Sequence, residues 1–199
     1  MLSIPVTIRF IPRAARLRLR ILWMRCTSGR QNLNSIDREM KVFHGTTTII
    51  QQPLVAASRD RLDFGRGFYV TDIREQAESW AERMQRIRQE PGVVNVYELD
   101  IDKVKETFRY YNFQNYDVEW LKFIVANRTG RTDVEQYDVI EGGVANDRVI
   151  DTVEAYMANL MPLETALKEL SRHRPNNQLC ITNQTVMETC LKFVESYKI

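Results

Sequence analysis

The sequence predicts an α+β fold whose strands gather into one core. Three observations carry that prediction. Short β-branched or aromatic runs recur along the chain: "MKVFH", "GFYVT", "VVNVYEL", "YDVIEGG" and "QLCIT". Between several of them lie segments whose apolar residues repeat at helical spacing. A length of 199 residues is one ordinary domain with room for an appendage, enough to bury most of its apolar surface.

The appendage comes first. The opening 36 residues carry Arg9, Arg13, Arg16, Arg18, Arg20, Arg25 and Arg30 and no acid, so the net charge of +2 conceals a body with 21 basic and 26 acidic residues. An acidic body argues against a nucleic-acid surface spread over the domain and leaves the arm as the element that would meet phosphates. "RFIPRAARLRLRILWMR" scatters arginine through its apolar residues. It therefore lacks the uninterrupted core of a secretory signal and is too short and charged for a membrane span. Residues 1–39 read as a basic, disordered extension, as a translation start placed upstream of Met40, or as a targeting or phosphate- or membrane-seeking arm. Residues 40–199 read as the domain.

From Met40, "MKVFH" is a strand ending in the turn-prone "GTTT", and "GFYVT" is a second strand across a polar loop. Asp72 and Glu75 form the D-x-x-E pattern of a capping box. Ile73, Ala77, Trp80, Ala81, Met84 and Ile87 then predict one helical face running to about Gln89, before Pro91-Gly92 end it. "VVNVYEL" follows as a strand. The aromatic-rich "FRYYNFQNYDVEWLKFIVANR" puts Trp120, Phe123, Ile124 and Tyr116 on a helical face read as core. "YDVIEGG" is a strand closed by paired glycines. Val149, Ile150, Val153, Tyr156 and Met157 predict a helix, and Pro162 opens another ending near Ser171. "QLCIT" is expected as the last strand and "NQTVMETCLKFVESY" as a closing helix capped by Asn183.

Several chemistries are excluded on residue grounds. Cys26, Cys180 and Cys190 form no C-x-x-C pair and leave an odd thiol, which fits a reducing, cytoplasmic setting. His44 and His173 lie far apart with no zinc spacing, so no metal is expected. There is no G-x-S-x-G elbow and no G-x-x-x-x-G-K-[ST] loop, and "GRGFYV" runs into a strand rather than a helix, which argues against Rossmann-type redox chemistry. "DFG" at Asp63 to Gly65 lacks the other parts of a kinase.

What remains is a strand ending in His44-Gly45-Thr46 and a strand carrying Gly67-Phe68-Tyr69 and Thr71. This pair resembles the ADP-ribosyltransferase fold of the diphtheria-toxin and poly(ADP-ribose) polymerase branch. More narrowly, "VFHGT", "DFGRGFYVT", "QAESWA", "YDVIEGGVAND" and "NQLCIT" together resemble the bacterial family catalogued as domain of unknown function 3990, over roughly Met40 to Tyr197. The resemblance implies two small packed antiparallel sheets with flanking helices, and NAD as a substrate. It implies that the Gly45 backbone holds the nicotinamide carboxamide, that the His44 imidazole bonds a ribose hydroxyl and that Tyr69 supplies a stacking face. Thr46, Gly65, Gly67, Phe68 and Thr71 would surround the dinucleotide. Arg66, with Arg59 and Arg61, stands beside the glycines with a fork suited to a pyrophosphate.

Each residue also has a plainer reading. His44 is equally a buried histidine satisfied by a carbonyl, Tyr69 strand core, Gly65 and Gly67 a bulge or turn, and the arginines a solvated face. One position departs from the family pattern: at the start of the last expected strand, where this branch often places glutamate, stands Gln178. An amide orients a hydroxyl but cannot act as general base, a role typically contributing ~10²–10⁴-fold. Asp147 and Glu141 are the alternative carboxylates, Asp147 doubling as a helix cap.

Two functional expectations follow. One is a mono-ADP-ribosyltransferase that cleaves the nicotinamide–ribose bond, a toxin or effector with a protein acceptor or an antitoxin as partner. The other is a non-catalytic module that binds NAD or ADP-ribose and acts through a protein partner. A third reading lets the basic arm bind nucleic acid or an anionic membrane.

Overall fold

A computed structural model describes residues 39–131, 136–143, 147–173 and 176–199. The arm predicted over residues 1–39 lies, up to residue 38, outside the described residues. From Glu39 the chain runs β1 (Glu39–Thr46), β2 (Phe68–Val70), α1 (Arg74–Arg88), β3 (Val93–Asp100), α2 (Ile101–Thr107), β4 (Tyr110–Phe113) and α3 (Val118–Thr129). It continues with β5 (Val139–Gly142), α4 (Asp147–Met157), α5 (Leu163–Leu170), β6 (Gln178–Ile181), α6 (Gln184–Cys190) and β7 (Leu191–Lys198). The class is α+β, as predicted.

The strands form two small sheets, one in the order β1-β3-β7 and one in the order β2-β6-β5-β4. The first is antiparallel throughout. The second departs from the expected pattern, because β4 and β5 run parallel. A parallel pair needs a crossover rather than a hairpin, and α3 between them supplies it. Among the described residues a single isolated bridge, Phe43 to Thr71, links the two sheets.

Alternation along these strands sorts the interior into separate cores. Val42 of β1, Tyr97 and Leu99 of β3, Phe68 and Val70 of β2, and Leu179 and Ile181 of β6 share one cluster, closed by Val186, Met187 and Cys190 of α6. On the opposite face of the second sheet, Ile140 and Cys180 pack with Trp120, Leu121 and Ile124 of α3, Val149 and Val153 of α4, and Ala166 and Leu170 of α5. Trp120, Ile124 and Tyr116 are buried, as their spacing predicted. Ala77 and Ala81 of α1 cover the other face of the first sheet against Val94.

Three expectations fail for identifiable reasons. "NQTVMETCLKFVESY" is a helix only to Cys190; β7 follows and pairs with β3 from Leu191 to Lys198. Six of the eight residues of β3 are buried, so a neighbour was required on each side, and the C-terminal segment supplies the second. The capping box does not form: Ile73 is the N-cap without a side-chain bond, and the Asp72 carboxylate accepts from Asn177 Nδ2 instead. The apolar face read across α1 is also too wide, since Ala77 and Ala81 are buried while Trp80 and Ile87 are 48% and 64% exposed. Two elements were missed, α2 and the aromatic strand β4. Asn183 caps α6 as expected, accepting from the Thr185 amide. Among the described residues no helix is long and apolar enough to cross a membrane.

Candidate functional site

The candidate site begins where two strands stop pairing. At the bridge, Phe43 N–H donates to Thr71 O at 2.8 Å and Thr71 N–H donates to Phe43 O at 3.0 Å. Strand alternation turns the main-chain groups of Gly45 the same way as those of Phe43, away from β3 and toward β2. Gly45 stands level with Tyr69 in that register, yet among the described residues β1 and β2 form no ladder there, only the Phe43–Thr71 bridge. The His44 side chain reaches across instead: its Nδ1 lies 2.7 Å from Tyr69 O. The result is a notch between β1 and β2 with the Gly45 amide and carbonyl on its wall.

A carbonyl only accepts, so Nδ1 carries the proton and the neutral imidazole keeps its lone pair on Nε2. Burial lowers the His44 pKa, against a smaller opposing effect of the Tyr69 carbonyl. The ring therefore stays neutral at pH 7, an acceptor at Nε2. The Phe68 ring supports it at 4.7 Å, and Phe68 leans edge-on against Tyr97. Opposite His44 in β3 stands Asn95, fully buried, whose side chain holds Thr48 O and the Ile50 amide. With the Tyr97 hydroxyl on Ile50 O, these bonds fix the chain that leaves Thr46. Asn95 was missed, although an asparagine inside the apolar run "VVNVYEL" signals a buried amide that must be satisfied.

Gly45 is a glycine because of α1. A Cβ there would meet Ala77 O at 2.0 Å and Ala81 N at 2.9 Å, so the helix lies directly on the strand. Arg74 and Glu78 turn toward Tyr197 of β7. Helical spacing puts Trp80 on the opposite flank of α1 from Arg74 and Glu78. Its half-exposed indole is the flat aromatic surface nearest Gly45 in sequence on that helix, with Arg83 at 5.3 Å over the ring.

The family model described as protein of unknown function (DUF3990) matches residues 40–193. The chain belongs to this family. It matches no curated protein and no solved structure.

In this DUF3990 chain the Tyr69 side chain lies on the face of β2 opposite His44, packed against the helical core with its ring 6.5 Å from Phe64. Its hydroxyl donates to Gly65 O and accepts from Phe64 N. Burial raises its phenol pKa, and the neighbouring Cys180 adds to the shift. His44 and Tyr69 are thus joined through the Tyr69 carbonyl, not side chain to side chain. Gln178 opens β6 on the Tyr69 face, two residues from Cys180, which pairs with Tyr69. That diagonal spans about 7–8 Å. Gln178 makes no side-chain hydrogen bond among the described residues.

The carboxylate alternatives are placed differently. Glu141 accepts a short hydrogen bond from the Tyr110 hydroxyl. By alternation it faces the same side as Leu179 and Val139, away from Tyr69. Asp147 opens α4, and its side chain lies outside the described residues.

The glycines and arginine after the first polar loop are also accounted for. Gly65 has φ of +80°, and a Cβ at Gly67 would meet Cys180 Sγ at 2.4 Å, so one makes a turn and the other a close approach to β6. Arg66 is held by Asp60 through two bonds of 2.8 Å. It borders a cavity of about 530 Å³ whose lining includes Phe64, Asn127, Asp138 and Gln184. That cavity sits at the Ile181 end of the second sheet, the opposite end from Gln178. Thr46 and Phe68 are buried beside His44. The Thr71 hydroxyl donates to Asn177 O at 2.7 Å and accepts from Ile73 N.

Proposed function

We propose that this DUF3990 chain binds NAD⁺ in the notch between β1 and β2 and is an ADP-ribosyltransferase-like protein that breaks the nicotinamide–ribose bond. The observation that carries the proposal is the pair of Gly45 main-chain groups turned into the notch beside a histidine of fixed tautomer. A planar carboxamide both donates and accepts, so it is the ligand group that suits a strand-edge amide and carbonyl turned the same way. Trp80 supports the reading as a face on which the nicotinamide ring stacks, a role the packed Tyr69 ring serves less well. His44 Nε2 supports it as an acceptor for a ribose hydroxyl.

In the reaction, the C–N electron pair leaves with nicotinamide, and the ribosyl cation is captured by an acceptor that releases its proton. Any rate gain comes from contacts that are stronger in the cationic transition state than in the ground state. Gln178 orients a hydroxyl there through its amide oxygen. The buried thiols of Cys180 and Cys190 fit a reducing cytoplasm. A role as a toxin or effector, with a protein acceptor or an antitoxin as partner, belongs to the same proposal.

A second reading is favoured by one specific residue. Gln178 is neutral, and Glu141 is engaged by Tyr110. A site without a carboxylate suits a module that binds NAD⁺ or ADP-ribose and signals through a partner. Calorimetry with NAD⁺, paired with an NMR time course for free nicotinamide, separates the two. Binding with nicotinamide release, both lost in a His44→Ala/Trp80→Ala variant, is the expected result. Binding with intact NAD⁺ selects the module, and no binding to the folded chain overturns both. Gln178→Glu is expected to raise nicotinamide release at least tenfold, at the low end of what a general base contributes.

A further inference from the structure

Among the described residues Gln178 has no side-chain bond, so its place depends on how the main chain reaches β6. Pairing between β2 and β6 runs Phe68–Ile181, Tyr69–Cys180 and Val70–Leu179. There the ladder ends, one residue short of Gln178, and the Thr71 main-chain groups bond Phe43 of β1. Gln178 in turn pairs with Gly142 on its other side. No β2–β6 pair of the ladder extends past Leu179 to Gln178.

The Thr71 side chain makes that tie. Its hydroxyl donates to Asn177 O at 2.7 Å, one residue before Gln178. The same oxygen accepts from Ile73 N at 3.1 Å, at the start of the helix that carries Trp80. A second strut runs alongside, from Asn177 Nδ2 to Asp72 Oδ1 at 3.0 Å. Thr71 is buried, and its one hydroxyl proton is already used, so it cannot at the same time donate to a ligand. It touches all three parts of the candidate site: β1 through Phe43, α1 through Ile73, and the Gln178 strand through Asn177.

We infer that Thr71 is a positioning residue, whose hydroxyl ties the Gln178 end of β6 to β1 and α1 and so sets where Gln178 stands at the mouth of the notch. The inference rests on the NAD⁺ reading only for the ligand it names. The link between Thr71 and Gln178 stands on the hydrogen bonds alone.

The test uses the full chain with Thr71→Val, which keeps the shape and removes the hydroxyl, and Thr71→Ser, which keeps the hydroxyl. The side-chain NH₂ resonance of Gln178 is read by NMR without ligand, and NAD⁺ affinity is read by calorimetry. Thr71→Val is expected to move the Gln178 resonance, to speed exchange of the Ile73 amide, and to weaken NAD⁺ binding about tenfold. Thr71→Ser returns all three to the wild-type values. Gln178→Ala weakens binding by a similar factor, and adding it to Thr71→Val costs nothing more, since both remove one contact. Asn177→Ala, which removes only the exposed strut, shifts the same resonance less and serves if Thr71→Val does not fold. An unmoved Gln178 resonance in the folded variants, or fully additive losses of affinity, overturns the inference. If the wild-type chain ignores NAD⁺ while the resonance still moves, the proposed ligand fails and the positioning role of Thr71 stands.

Discussion

At Phe43 and Thr71 the two segments meet with both main-chain bonds made; two residues along β1, level with Tyr69, the bridge is not continued into a ladder. The same two strands, in the same register, give a closed end and an open one. The difference comes from one imidazole. His44 claims the Tyr69 carbonyl, the strands part, and the Gly45 amide is left at an edge. The closed end is filled structure, while the open end is where the two strands are not paired. Changes on the filled side should therefore alter stability, and changes on the open side should alter ligand binding.

The largest expected effect lies well inside the filled region. Trp120 is fully buried against Tyr116 at 4.6 Å, and Trp120→Ala should cost about 3–5 kcal/mol in urea unfolding. A smaller cost with unchanged slope would mean that the helical core relaxes around the gap more than its packing implies. Next comes Gly45→Ala, where the new methyl meets the α1 backbone. It should cost about 1–3 kcal/mol and also widen the notch, so it is the one change expected to move stability and NAD⁺ affinity together. If only stability moved, the Gly45 main chain would have no part in binding.

Trp80→Ala sharpens the contrast from the open side. The indole is half exposed, so unfolding free energy should stay within about 0.5 kcal/mol. NAD⁺ affinity should fall about five- to tenfold for the loss of a stacking face. The reverse pattern would make Trp80 part of the core after all.

The smallest effect is a pH dependence at His44. Burial lowers its pKa below the ordinary value of 6.5. Above 6.5 both folded and unfolded chains hold the ring neutral. Between 6.5 and the folded value only the unfolded chain takes up the proton, so stability declines as pH falls through that window and levels off below it. Urea titrations from pH 8 to pH 5 should show this decline, and His44→Gln should remove its share. A slope that is unchanged in the variant would assign the decline to other groups.

Much of the molecule was legible because its signals are local. Val42, Val96 and Leu99 sit in strands of the expected kind, and Trp120 and Ile124 lie on a buried helical face. The segment Leu191 to Lys198 was not legible. Val186, Met187, Cys190 and Leu191 satisfy helical spacing, and only the need of β3 for a second neighbour turns Leu191 onward into a strand. Trp80 was misread for a related reason: spacing places it near Ala77 and Ala81, but the width of the face that β1 covers is a property of two packed elements. Among the site residues, His44 and Gly45 were found as a pair, while Asn95 was passed over and Thr71 was read as a ligand contact although its hydroxyl serves Asn177.

By itself the sequence determined the α+β class, the strand that ends in His44-Gly45, the glycines demanded by turns and close approaches, and the presence of Gln178 where a carboxylate was expected. These depend on residue type and on spacing within one element. Only the tertiary structure decided that β1 meets the chain at Thr71 but forms no ladder with β2, that the Tyr69 ring packs on the side away from His44, that Trp80 stays half exposed and that Thr71 reaches Asn177 across 106 positions of sequence. Each of these depends on which main-chain groups remain unpaired once two strands have met, and hydrogen-bond accounting of that kind is settled between elements, not within them.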